Sequence, residues 1–254
     1  MKKTIYFGLF FLFIIILSGE ANAFEESNLY IANGPEDDVE KITFTYEDER
    51  IPNGWYPLRE LSNYLPIEVD WNEETRSVTL VSPILEGINN NLVYSEFTIE
   101  EIAYREDMII IDGTTYCSPR FISSRLFSMS FRYNNELWFC DAEKDFNGKV
   151  KSVLLELKIK SPDNYEFVTN RLTGGIEVGY KYSEPGVLGY VYPYTENPVC
   201  YISRDTLSSW SLLRVIAHEA YHVEQARNGV EITEKDAKNY ANSVIDICRQ
   251  IWST

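Results

Sequence analysis

Histidine is almost missing from this sequence: 254 residues hold two, His218 and His222. That scarcity excludes a three-histidine metal centre. Cations are short as well, with 23 Lys plus Arg against 39 Asp plus Glu, for a net charge of −16. A surface of that sign repels phosphate and anionic headgroups, so neither nucleic acid nor an anionic membrane surface is expected as a partner. The plain meaning of the acidity is solubility. Cysteine is sparse, at Cys117, Cys140, Cys200 and Cys248. None has CxxC spacing, which argues against a cysteine metal site. Beyond residue 17 no run is apolar enough to span a bilayer. Tyrosine is what abounds, 18 in all, and it suits half-buried strands.

The N-terminus reads as a secretory signal peptide. Lys2 and Lys3 precede an apolar run from Ile5 to Leu17, and Ala21-Asn22-Ala23 supplies a small-x-small cleavage site. Cleavage after Ala23 and a secreted or cell-surface-associated product are expected. No cysteine follows closely, so a lipid anchor has no attachment point. Outside the cytoplasm an even cysteine count suggests disulfides, with three pairings open. If each domain folds alone, Cys117–Cys140 and Cys200–Cys248 are favoured. The alternative is four buried thiols.

Residues 24–39 are acidic and contain Asn33-Gly34-Pro35, which reads as a linker. Ile42 to Tyr46 is strand-like. Tyr56-Pro57-Leu58-Arg59 opens a short helix, and Ile67 to Trp71 and Ser77 to Leu80 alternate as a hairpin. A weaker copy follows about 60 residues on: strand Met108 to Ile111, a Pro119-Arg120 helix start, then Met129 to Tyr133 and Leu137 to Phe139 around Asn134-Asn135. An internal duplication is expected. The polar stretch Asp141 to Lys151 marks a boundary, giving domains at 40–148 and 149–254. In the second, Val153 to Ile159 reads as a strand and Asn164 to Leu172 as a helix stopped by Gly174-Gly175. Strands are expected at Ile176–Tyr182, Val187–Tyr192 and Val199–Ser203, with helices after them. The fold class is α+β: a β-rich module with short helices, then a small domain of one short sheet and two principal helices.

The first half resembles the copper amine oxidase N-terminal-like (stalk) domain, a family frequent in secreted proteins of Gram-positive bacteria. Tyr56-Pro57-Leu58-Arg59 and Val69-Asp70-Trp71 carry the match. The resemblance implies a non-catalytic module for spacing or binding. It does not imply copper, because both histidines lie elsewhere.

The chemistry sits in His218-Glu219-Ala220-Tyr221-His222. Ser208 to Arg227 reads as a helix with an apolar stripe of Leu212, Leu213, Val215, Ile216, Ala220 and Val223. Histidines four apart share one helix face and can grip one tetrahedral Zn2+ through nitrogen. Glu219, one residue along, can take a proton from a metal-activated water and pass it to a leaving amine. His-Glu-x-x-His is a short motif and needs context. Here both histidines of the chain lie in it, on an amphipathic helix.

A catalytic zinc needs a third protein ligand and an open position. Without a third histidine, that ligand is a carboxylate or, less favoured, a cysteine. A second helix begins after Thr233, an N-cap with Asp236 three residues on and a staple of Ile232 with Ala237. Glu234 falls about 45° from the centre of that helix's apolar stripe and Asp236 about 115° away. Glu234 is therefore expected to point at the first helix, buried and in need of a partner, while Asp236 serves the cap.

This two-helix pattern looks like the gluzincin clan of zinc metallopeptidases. Glu234-Lys235-Asp236-Ala237-Lys238-Asn239-Tyr240-Ala241 is similar to the second-helix block of its minimal members. The resemblance implies His218, His222 and Glu234 as zinc ligands and Glu219 as general base. Lys238 stands where an Asn or Asp commonly supports a histidine ligand. Such enzymes add an oxyanion stabiliser. Tyr221 and Tyr240 are candidates here, as are Arg214 and Arg227. A strand before the motif helix commonly holds the substrate backbone, and Val199–Ser203 is placed to do so by β-addition. The expected substrate is a peptide or protein, cell-wall peptide stems included. The competing expectation is a non-catalytic extracellular binding or scaffold protein whose peptidase-like domain is vestigial or holds zinc structurally.

Overall fold

The structure, a computed structural model, describes residues 25–72, 74, 77–85, 92–100, 107–123, 129–142, 146–180, 186–203 and 209–250. The expected signal segment lies outside the described residues. So do Ile251 and Trp252.

The chain begins with β1 (Glu25–Ala32) and β2 (Glu40–Tyr46), then β3 (Tyr56–Pro57) runs into α1 (Leu58–Leu61). Next come β4 (Glu68–Asn72), β5 (Ser77–Leu85), β6 (Leu92–Glu100), β7 (Met108–Ile111), β8 (Thr114–Cys117) and α2 (Pro119–Phe121), followed by β9 (Ser130–Tyr133) and β10 (Glu136–Cys140). The remainder is α3 (Phe146–Lys160), α4 (Pro162–Arg171), β11 (Gly175–Tyr180), β12 (Gly189–Val191), β13 (Val199–Ser203), α5 (Ser209–Arg227) and α6 (Glu234–Gln250). Among the described residues the strands form four small sheets, ordered β2-β1-β10-β9, β3-β8-β7, β4-β5-β6 and β11-β13-β12. The protein is thus mixed α and β, in keeping with the α+β expectation.

Turn chemistry sets two of the hairpins. Asn134 and Asn135 join β9 to β10 with φ of 50° and 62°, the left-handed pair that a two-residue hairpin loop demands and asparagine tolerates. Asp112-Gly113 does the same between β7 and β8. The strand–helix–hairpin order appears twice, as β3-α1-β4-β5 and β8-α2-β9-β10. The leading strands of the two copies pair with each other, Tyr56 opposite Cys117 and Pro57 opposite Tyr116.

Four expectations need correction. The acidic stretch 24–39 is not a linker. Half of it is β1, which pairs antiparallel with β2 and parallel with β10. Leu29 is fully buried there. The turn after β1 is fastened to the helices: Lys158 Nζ donates to the Pro35 carbonyl and Tyr165 donates to the Glu36 carboxylate.

The apolar run at Val153–Ile159 is not a strand but the body of α3. A short apolar run is ambiguous in period, and leucine favours helix. Both sides of α3 find apolar partners. Val150, Val153 and Leu157 join the core beneath α5 and α6. Leu155, with Ile159 against it, joins the core of the β-rich half. The expected boundary at 148/149 therefore falls inside a helix that both cores share.

The disulfides are not formed. All four cysteines are free and buried. Cys117 Sγ donates to the Tyr56 carbonyl at 3.5 Å, whereas Cys140 Sγ donates to the Asn33 carbonyl at 3.7 Å. Burial holds all four thiols above the ordinary range, Cys140 up to about 11 and Cys248 up to about 12. Each packs as a small apolar side chain.

Finally, Val199–Ser203 is not an edge strand. β13 lies in the centre of its sheet, parallel to β11 on one side and antiparallel to β12 on the other. Its hydrogen-bonding rows are taken up on both sides, so it has no edge to offer a substrate.

Candidate metal centre

α5 and α6 build the site. The stripe of α5 is buried as its spacing predicts: Leu212, Leu213, Val215, Ile216, Ala220 and Val223 are each under 8% exposed. Ala241, Val244, Ile245 and Cys248 of α6 pack into the same core. The turn between the helices is short. Gly229, at φ 63°, ends α5 with its N–H on the Ala226 carbonyl, and the Val230 N–H reaches the Gln225 carbonyl. That is the Schellman arrangement, for which glycine has the least strain. Thr233 then caps α6: its hydroxyl accepts from the Asp236 N–H at 3.4 Å and donates to the Asp236 carboxylate at 2.6 Å. The reversal brings the first residue of α6, Glu234, back over the histidines.

Three side chains converge. His218 Nε2 and His222 Nε2 are 3.0 Å apart. Glu234 places one carboxylate oxygen 3.1 Å from His218 Nε2 and the other 3.3 Å from His222 Nε2. The set is one that can hold a metal ion, with all its ligand atoms within 4.8 Å of one another. Glu234 is not buried, however. Its side chain is 83% exposed, so desolvation is not what drives it to the site. The tight turn and the cap place it there. Asp236 instead supports the cap, its carboxylate accepting from the Thr233 hydroxyl, in keeping with its position on the helix.

Glu219 is 7% exposed. Burial, and then the nearby charge of Glu234, push its carboxyl up to about 8. Burial and the neighbouring His222 hold His218 below its ordinary value, against an opposing pull from Glu234. β12 passes directly over this part of α5. A Cβ placed on Gly189 would sit 2.3 Å from Val215 Cγ1 and 3.8 Å from Glu219 Cγ. Only a residue without a side chain lets the strand lie so close.

The oxyanion candidates go elsewhere. Tyr221 stacks on Tyr240 at 5.1 Å, and both pack on Phe167 of α4. The Tyr240 hydroxyl donates to Asn164 at 2.9 Å. Tyr221 lies about 160° around α5 from Glu219 at the helical repeat. Arg227 donates to the Asn170 carbonyl at 2.8 Å, and Arg214 and Lys238 are exposed.

One residue that composition and motif did not single out is Gln225, 4% exposed. Its Oε1 lies 3.1 Å from His222 Nδ1. Its sequence signal is faint: a polar residue three positions after the second histidine, hence on the same helix face.

No family model, no curated protein and no solved structure matches the chain.

Proposed function

We propose that the protein is a secreted, zinc-dependent peptide hydrolase of gluzincin type, preceded by a stalk-like module. The observation that carries this reading is the convergence of His218, His222 and Glu234 beside a buried Glu219. Two imidazoles and a carboxylate are a zinc-type donor set. Bonds of about 2.0–2.1 Å in a tetrahedron put neighbouring ligand atoms roughly 3.4 Å apart, and the separations of 3.0, 3.1 and 3.3 Å come close to that.

Zinc, when bound, supplies the Lewis acid that acidifies a water and polarises the scissile carbonyl. The protein supplies the rest. His218, His222 and Glu234 hold the ion and leave one side for water and substrate. Glu219, one residue from His218 and shielded from solvent, in its ionised form takes the proton of the attacking water and delivers it to the leaving amine. The substrate backbone pairs with β12, an edge strand of its sheet among the described residues and the one that lies over Glu219. A peptide or protein is the substrate class; the acidic surface disfavours nucleic acid.

The test is a zinc stoichiometry on the mature protein, with cleavage of a mixed peptide library by the wild type and by Glu219→Gln. One zinc per chain with Glu219-dependent cleavage is expected. The engagement of Tyr240 with Asn164 favours a second reading, a binding or scaffold protein with a structural zinc. One zinc per chain with no Glu219-dependent cleavage would decide for that reading.

A further inference from the structure

We propose that Gln225 is a positioning residue that fixes the tautomer of His222, presenting its Nε2 lone pair to the metal, and that the Asp236 carboxylate anchors the hydrogen-bond chain that does so. The proposal rests on the metal-site reading and adds a residue and a direction to it.

The direction follows from what each partner can accept or donate. Gln225 is buried, with one end of its amide toward His222 Nδ1 at 3.1 Å. The other end faces the Glu231 carbonyl at 3.4 Å and the Thr233 hydroxyl at 3.3 Å. A backbone carbonyl only accepts. The amide nitrogen therefore belongs on the Glu231 side, which leaves the amide oxygen facing His222. An amide oxygen only accepts in its turn, so His222 carries its proton on Nδ1. Its Nε2, which points at His218 and Glu234, is then the bare nitrogen that a metal needs.

The chain continues. The Thr233 hydroxyl accepts from Gln225 and donates to Asp236, whose ionised carboxylate only accepts. Every proton in the series His222, Gln225, Thr233, Asp236 points the same way, toward a negative charge. Hydrogen bonds in series polarise one another, and a ligand imidazole with such support is fixed in orientation. The series also joins the two halves of the site. His222 and Gln225 belong to α5, whereas Thr233 and Asp236 cap the helix that begins with Glu234. The bonds that orient one ligand therefore also hold the helix start that carries another. Nothing similar serves His218: among the described residues no hydrogen bond engages its Nδ1.

The experiment uses the full mature chain labelled with 15N at histidine, whose two rings give a two-residue spectrum. In the metal-free wild type, His222 should show a protonated Nδ1 and a bare Nε2. Gln225→Met, nearly isosteric but without the amide, should turn His222 into a tautomer mixture and weaken zinc about 10–100-fold in a chelator competition. Gln225→Glu, which keeps an acceptor toward His222, should restore both. An Nε2-protonated His222 in the native chain overturns the proposal, and that readout needs no variant to fold. So does an unchanged tautomer and zinc affinity in a folded Gln225→Met. Failure of the wild type to bind zinc would instead sink the metal reading, and the tautomer would still be decided in its absence.

Discussion

Gly189 and Val215 stand so close that a methyl group on the glycine would lie 2.3 Å from a methyl of the valine. This contact sets how near the edge strand approaches the helix that carries Glu219. Gly189→Ala should therefore push β12 off α5 and lower stability by about 1–3 kcal/mol, the usual cost of overpacking. Peptide cleavage should fall further than stability does, because the displaced strand no longer lies over Glu219. Urea melts and library cleavage measured on one preparation check both. Cleavage at the wild-type rate would detach β12 from substrate binding.

Glu234→Ala should weaken zinc by more than 100-fold, whereas Asp236→Ala should stay within the roughly 10–100-fold range of a supporting partner. Saturating zinc at about 100 times Kd should add about 2.7 kcal/mol to the wild type, and much less to Glu234→Ala. Chelator competition and thermal melts report the two effects. Asp236→Ala weakening zinc more than Glu234→Ala would refute the ligand assignment.

The four buried thiols should resist alkylation in the native protein and all react once it is unfolded in denaturant without reductant. Burial keeps each thiol protonated, and the thiolate is the nucleophile. Mass spectrometry of the labelled chain counts them. A mass short by two labels would reveal a disulfide.

Lys160 and Glu156 form a buried ion pair at 2.6 Å, with side chains 0% and 10% exposed. Lys160→Ala leaves the carboxylate without this partner and should cost about 3–5 kcal/mol. Glu156→Gln combined with Lys160→Met should recover much of that loss. Chemical denaturation of the single and double variants gives the comparison. A fully additive outcome would mean that the pair is not coupled.

The histidine-bearing helix α5 is the most legible part of the chain. Its 3.6-residue period, the His218–His222 spacing and the Thr233 cap are local patterns, and each survives in the structure. The hairpin at Asn134-Asn135 was equally local. What could not be read was long-range. That residues 25–32 form a strand depends on β10, over a hundred positions away. Whether Val153 to Ile159 coils or extends depends on the two cores around it. The exposure of Glu234 follows from where the turn delivers it, which a helical wheel does not contain. Gln225 could not be distinguished from any buried amide until its partners were in place.

The sharing of α3 by both cores bears on how the protein can be divided. A chain begun at Lys149, where composition suggests a domain start, would keep most of the helix but strip Leu155 and Ile159 of the strands that cover them. It would also remove Phe131, over whose ring Lys160 sits at 5.5 Å. The freed fragment would present an oily flank to water and gather into aggregates. Expression of the β-rich half and the helical half should therefore succeed from one reading frame and fail from two.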